Sequence, residues 1–549
     1  MKTHLFDLAV RSAMSRRRLL QGAAALGGVA ALGLPRGAMA QDAALRAQIL
    51  AIPGVGAGSP TDADWRAVGE LCMGPTRANV AEGEFAGVEL TFMGLNNQNL
   101  HNFLFRGFLA PWEAYTGAKI NWIDLAQADY NPRLQQAIAT GTVDFDILEM
   151  GAPFEGDTAG RGLLDPMPDW VKEQIDMADY VGYLQPPVGT WDGQTYRISI
   201  DGDCHTFAYR TDYFGEGSVT GMAEAPTTWE EVNEMSKALV AAGATDPLTG
   251  LPAYGFLDPL KYQWGGFGFY FMADRATAYV KHPDDPAWLF DPDTMTPRVN
   301  NPGWVQAIQD VMDLMAANAY PPDQVNADPN ATAFSQFLGG TGAALTWWGD
   351  VGSNARTSDT SVVGDVVGFS INPGATRRYN HQAAAWEENL AEPNFAPNLA
   401  YLGWGVYVTN RVSGDELKRK AAWSAAAHLG GKDISLWMAA YPSGFQPYRN
   451  SHFNFDEWEA AGYDRGFIED YLGSNRDSYN HPNAAIEPRI PGIFQYYSVA
   501  EDELVKGLNG QYGSAQETAD AIAAAWEGIT DQIGRDSQVA LYRASLGLS

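Results

Sequence analysis

Cysteine is almost absent from this chain of 549 residues: Cys72 and Cys204 are the only two. Two thiols exclude a disulfide framework and a four-thiolate zinc site, and they do not form a CxxC redox pair; at most they make one bridge. Basic side chains are scarce too, 36 Lys and Arg against 66 Asp and Glu, for a formal net charge of −30. A surface that grips phosphate backbones needs a basic footprint, so nucleic acid is excluded as the main partner. Beyond the first 40 residues no stretch is long and apolar enough for a transmembrane helix. What is present is core material: 46% apolar, 12% aromatic and 19% charged residues, which describes a folded chain. At roughly 100–200 residues per domain its length calls for two to four globular units.

The amino terminus carries the most specific short signal. Ser15-Arg16-Arg17-Arg18-Leu19-Leu20-Gln21 precedes a glycine-punctuated apolar run from Gly22 to Leu34 and the small-residue site Ala38-Met39-Ala40. This resembles a twin-arginine export signal spanning residues 1–40, cleaved after Ala40, and predicts a periplasmic protein. A membrane anchor is the alternative, but Gly27 and Gly28 interrupt the run and it is short for a bilayer. Oxidative surroundings would permit a Cys72–Cys204 bridge without establishing it.

Residues 41–83 mix short helical patterns with a Pro/Gly segment and read as an N-terminal surface extension. Regular structure begins at Val88–Met93, a buried strand. A helix then ends at Gly117, a second strand follows at Ala118–Ile123, a helix at Asn131–Thr140 and a third strand at Phe145–Met150. Strand, helix, strand implies parallel βαβ units and an α/β lobe. Two extended runs flank Asp201-Gly202-Asp203, and Thr228 caps a helix running to about Ala242. Further strands are expected at Val363–Ile371 and Tyr401–Val408, helices at Glu416–Leu429 and Ala515–Ile533, and irregular chain over 376–400.

These blocks, in this order, resemble the carbohydrate-type extracellular solute-binding proteins, the group that includes maltose-binding protein. The residues carrying the resemblance are Gly193, Tyr196 and Asp201; Tyr209, Arg210, Asp212 and Phe214; Pro226, Thr228, Trp229 and Glu231; and Phe337, Gly340, Ala343 and Trp347. Ser199 departs from the pattern, standing where the family often has proline, and 41–83, 376–400 and 451–497 read as additions. The resemblance implies a two-lobed α/β fold of the periplasmic-binding-protein type II. Lobe 1 would be 84–200 plus 402–455, and lobe 2 would be 203–400 plus 456–549. The crossings are expected near Ile200–Asp203, Asn372–Leu402 and Tyr448–Phe455, with ligand in the cleft and hinge closure upon it. It also implies a monomeric binding component of an ABC importer that performs no chemistry, needs no cofactor or metal, and hands a small carbohydrate or polyol to a membrane permease.

A neutral polyhydroxylated ligand needs flat aromatic faces for its C–H side and carboxylates or amides for its hydroxyls. Trp264, Trp347, Trp348 and Trp404 offer the faces, in what read as glycine-flanked loops, although any tryptophan can equally be core. Asn96 and Asn97 follow the first strand, at the end where open α/β sheets bind ligands; simple turn chemistry is the alternative. Asp203 matches a ligand-contacting position of the family, Asp201 lies two residues before it, and Asp350 and Arg449 complete the candidates. Asn96, Trp404 and Arg449 are expected on one wall, Trp264 and Trp348 on the other, and Asp203 at the hinge. Two other readings stand beside this one. A polyamine or other small cationic solute would use the same rings and acids. An exported metal-dependent hydrolase would use Asp201, Asp203 and His205 as ligands, a weak signal without a second cluster.

Overall fold

The computed structural model describes residues 36–52, 60–96, 101–186, 188–261, 266–326, 330–441 and 444–548. In chain order its strands are β1 (Glu89–Leu95), β2 (Lys119–Leu125), β3 (Ile147–Gly151), β4 (Ile198–Ser199), β5 (His205–Arg210), β6 (Tyr254–Phe256), β7 (Gly342–Trp348), β8 (Val367–Ser370), β9 (Arg378–Asn380), β10 (Ala385–Glu387), β11 (Asn398–Leu399), β12 (Trp404–Val408) and β13 (Ala485–Ile486).

Two sheets organise the chain. The first has the order β2-β1-β3-β12-β4. β1 runs parallel to β2 and β3, whereas β12 is antiparallel to both β3 and β4. The expected βαβ units are there: helix Asn102–Thr116 joins β1 to β2 and stops at Gly117, whose φ of 78° only glycine adopts cheaply. Helix Gln127–Thr140 likewise stops at Gly141 before β3. The second sheet has the order β6-β7-β5-β8, with β5 antiparallel to β7 and β8 and parallel pairing of β6 with β7. Helix Trp229–Ala241 packs on β6 and opens with the anticipated capping box, Thr228 with Glu231. We call the body around the first sheet lobe 1 and that around the second lobe 2. Lobe 2 also holds the packed helices Phe267–Val280, Ile493–Leu508 and Ala515–Ile533.

Two expectations are overturned. The segment read as a surface extension is built into lobe 1: helix Asp62–Leu71 buries Trp65 and Val68 against helix Asn102–Thr116. The contact is backbone-close, since a Cβ on Gly69 would stand 2.4 Å from Phe108 O and one on Gly107 would stand 2.4 Å from Trp65 Cβ. Its short helices gave no long periodic pattern, which is why it read as surface. The stretch 376–400, expected to be irregular, contains the β9–β10 hairpin and β11, which pairs with β13. These strands are only two or three residues long, below what alternation can reveal. Among the described residues no helix is long and apolar enough to cross a membrane.

Candidate functional site

The two lobes meet where β4 leads into β5, and the acids of that junction converge there. Asp201 is buried and its Oδ1 accepts from the backbone N–H of Gly202 (2.7 Å) and of Gln446 (2.6 Å). Asp203, also buried, accepts on Oδ1 from Gln446 Nε2 (2.6 Å), and among the described residues no N–H or hydroxyl donates to its Oδ2. The two carboxyls lie within hydrogen-bonding reach of each other. Burial pushes the Asp201 carboxyl up to about 7. Burial, and then the neighbouring charges of Asp201 and Asp350, lifts Asp203 well above the ordinary carboxylate range. Asp350, which follows β7, is raised by burial and by Asp201, and its Oδ1 is likewise out of solvent and without a donor among the described residues.

Aromatic rings connect this acid cluster to both sheets. Trp348, the last residue of β7, lies 5.8 Å from Phe267; Phe267 lies 5.2 Å from Tyr401, and Tyr401 5.0 Å from Trp404, the first residue of β12. Tyr401, Leu402 and Gly403 hold φ of 70°, 50° and 84°, three left-handed residues in a row as the chain enters lobe 1. Such a setting costs on the order of 1–3 kcal/mol for each non-glycine residue and persists only where neighbours enforce it. Glu487 supplies one restraint by accepting from Tyr401 N (2.9 Å) while its other oxygen accepts from Tyr270 Oη (2.5 Å). Burial lifts the Glu487 carboxyl to about 8. Gly403 itself is required, because a Cβ there would stand 2.3 Å from Asp201 O. On the lobe 1 side His101 packs edge-on to Trp404 at 5.0 Å, with Nδ1 hydrogen-bonded to Glu149.

The predicted residues divide. Asp201, Asp203, Asp350, Trp348 and Trp404 come together at the junction. Asn96 follows β1 as an exposed residue whose N–H donates to Leu125 O (3.0 Å). Asn97 and Trp264 lie outside the described residues. Trp347 and Trp348 close β7 and Trp404 opens β12, so none of the three is in a loop, which corrects that expectation. The rings of Trp347 and Trp348 meet edge to face at 5.6 Å, and both touch Phe271. Trp347 is stacked between Phe271 (5.4 Å) and Phe334 (4.7 Å) inside lobe 2, while Trp348 is only partly buried. Arg449 is fully buried in lobe 1 and donates to Gly430 O (2.7 Å), Ser435 Oγ (3.0 Å) and Asp176 O (3.1 Å), with Tyr180 under its guanidinium. It is occupied in the lobe's own packing rather than on the wall expected of it.

His205 does not join Asp201 and Asp203: its Nδ1 pairs with Asp274 Oδ2 at 2.8 Å, and Asn398 Nδ2 donates to the other Asp274 oxygen at 3.0 Å. Among the described residues no three His, Cys, Asp or Glu side chains are placed to hold a metal ion. Cys72 and Cys204 are both free and buried. The sequence reading missed His101, Tyr401, Gln446 and Glu487. Only Tyr401, beside the Gly-Trp-Gly run that singled out Trp404, carried a local signal; the others sit in unremarkable loops and are brought in by tertiary folding.

Residues 108–426 match the model of the family described as bacterial extracellular solute-binding protein. A lactose-binding protein of Rhizobium radiobacter is 27% identical over 158 residues, 28% of this chain; the chain spans 36% of the length of that curated relative. Among solved structures, an ABC transporter solute-binding protein of Agrobacterium radiobacter K84 in complex with ribitol is similar at a TM-score of 0.62 and 19% identity, over 82% of this chain and 99% of that one. A counterpart from Agrobacterium vitis S4 with bound D-mannitol gives the same four values. A maltose-bound protein of T. maritima gives a TM-score of 0.60 at 17% identity, covering 81% of this chain and 100% of its own. These likenesses agree with the two-lobed α/β fold.

Proposed function

The chain belongs to the bacterial extracellular solute-binding proteins, and from that premise we propose that it is the substrate-binding component of an ABC importer for a carbohydrate or polyol. The observation that carries the reading is a pair of buried carboxyl oxygens, Asp203 Oδ2 and Asp350 Oδ1, left without a donor among the described residues at the lobe junction, beside the rings of Trp348, Tyr401 and Trp404. Buried acceptors without a donor are costly, and a ligand rich in hydroxyl donors satisfies them. Rings beside them suit the C–H faces of the same ligand. The related proteins with ribitol, D-mannitol, maltose and lactose in their names support this class of cargo.

Binding involves no covalent chemistry in this reading. Ligand that touches both lobes favours the closed arrangement, and the closed form docks on the permease. We take lobe 1 as 62–200 plus 402–455 and lobe 2 as 203–400 plus 456–549, with export by the twin-arginine route, cleavage after Ala40, and a monomer in the periplasm. A second reading, a small cation, is favoured by one observation: three buried carboxyls, Asp201, Asp203 and Asp350, meet here.

The test is a thermal-shift screen of the exported form against sugars, polyols and polyamines. A ligand at about 100 times its Kd adds roughly 2.7 kcal/mol to stability. Stabilisation by sugars or polyols, with the compound recovered intact, supports the importer reading. Stabilisation by polyamines alone replaces the cargo, and turnover of the compound refutes a pure binding role.

A further inference from the structure

We propose that Gln446 is the positioning residue of this ligand site: from lobe 1 it sets the Asp203 carboxyl and at the same time grips the backbone of lobe 2 at Gly349. The inference rests on the reading of Asp203 as a ligand contact.

Gln446 is fully buried, and its backbone N–H, Oε1 and Nε2 all have partners. Its neighbours on either side anchor it to lobe 1: the Phe445 ring packs against His101 and Phe105, and Tyr448 O accepts from Val181 N (3.0 Å). Its Oε1 accepts from Gly349 N (2.9 Å) and Cys204 N (3.3 Å). Both of those groups are donors only, so the amide has one orientation, and Nε2 is the atom that faces Asp203 Oδ1 at 2.6 Å. One oxygen of Asp203 is thereby held, and the other is left for a ligand. Gln446 N meanwhile holds Asp201. On the lobe 2 side the fit is close: a Cβ on Gly349 would stand 2.5 Å from Gln446 Oε1 and 2.2 Å from Asn475 Oδ1. One side chain thus spans lobe 1, the crossing at Asp201–Cys204 and lobe 2.

The chemistry suggests a discriminating substitution. Gln446→Glu keeps size and the accepting oxygen, but hydrogen-bonds to Asp203 only while one of the two facing carboxyls holds a proton. The surroundings oppose ionisation there. Asp201 and Cys204 face it from the crossing, Asp350 from the end of β7, and Glu487 from the segment after β13. Tyr183, Tyr401, Tyr448, Tyr471 and Tyr479 add hydroxyls around the carboxyl pair, and the imidazole of His101 acts on Asp201.

The experiment measures affinity by calorimetry at pH 5 and pH 8, with D-mannitol and lactose as probes, and melting temperature across the same range without ligand. The proteins are the parent, Gln446→Glu, Gln446→Leu, Asp203→Asn and the double variant Gln446→Glu/Asp203→Asn. Expected is affinity of Gln446→Glu within about threefold of the parent at pH 5 and at least tenfold below it at pH 8. Its melting temperature should fall in parallel. Gln446→Leu should be at least tenfold weaker at both pH values. In the double variant the amide of the substituted Asp203 can donate to the new carboxylate, so the pH slope should return to that of the parent. Equal and pH-independent losses in Gln446→Glu and Gln446→Leu would overturn the inference, showing that Gln446 only fills space. Unchanged affinity in Asp203→Asn would instead remove the ligand reading of Asp203, while the ligand-free melting slopes would still show whether Gln446 sets that carboxyl.

Discussion

Glu155, on the segment that follows β3 in lobe 1, forms a buried ion pair with Arg489, which leads into the helices of lobe 2. Arg197 approaches the same carboxylate at 3.5 Å, and Tyr407 Oη donates to it at 2.8 Å. Beside this group Gly492 N donates to Asp157 (3.1 Å), and Phe154 stacks on Phe494 at 4.4 Å. The lobes are therefore joined by packed side chains as well as by the chain crossings.

Glu155→Ala is expected to lower stability by about 3–5 kcal/mol, because it leaves two buried guanidinium groups without their shared partner. Urea unfolding at pH 7 measures this. A loss below about 1 kcal/mol would mean that solvent reaches the two arginines and the pair is not buried.

The adjacent tryptophans of β7 should behave in opposite ways. Trp347→Ala should cost about 3–5 kcal/mol, since its ring is stacked within lobe 2. Trp348→Ala and Asp203→Asn should leave the fold standing and weaken ligand binding at least tenfold by calorimetry. The assignment fails if Trp347→Ala is the variant that binds poorly while melting normally.

Stability should fall as pH rises from 6.5 to 8. Glu487 keeps its proton in the folded chain up to about 8, and Asp201 up to about 7, whereas both release it near the ordinary carboxylate values when unfolded. In that window the folded state binds more protons, so raising the pH favours unfolding, by at most about 1.4 kcal/mol per pH unit for each such group. Below 6.5 the trend is opposed: burial holds His428 down to about 4, and its contribution is lost as pH falls from 6.5 toward that value. Melting curves of Glu487→Gln should show a smaller decline between 6.5 and 8 than the parent; an identical decline would acquit Glu487.

Neither cysteine should react in the folded protein. Burial raises both thiols well above their ordinary value, and neither is paired with the other. Alkylation followed by intact mass should show no adduct before denaturation and two after it. A two-hydrogen mass deficit under oxidising conditions would reveal a bridge instead.

Long elements were legible because period and caps agreed. Glu416–Leu429 and Ala515–Ile533 have the limits their sequences indicate, and Thr228 with Glu231 announces helix Trp229–Ala241. The Gly117 and Gly141 stops mark the βαβ units for the same reason. The site was harder to read. Asp201 and Asp203 were accessible through a motif, but Trp347 and Trp348 differ because Phe271 and Phe334 enclose the ring of Trp347 while Trp348 stays only partly buried, which tertiary packing decides. Arg449 looked available because sequence does not show Gly430 O and Ser435 Oγ waiting for it. Gln446 could not be singled out at all, since its importance comes from three segments far apart in the chain.

The place of β12 between β3 and β4 has a consequence for the timing of synthesis. The centre of the lobe 1 sheet stays open until Trp404–Val408 has been made, although β3 ends at Gly151. At about 5–20 residues per second a ribosome takes on the order of 10–50 s to cover that interval. Throughout it β3 exposes an unpaired edge that a second nascent chain could capture. Slow or crowded translation should therefore cost this protein yield before it costs stability.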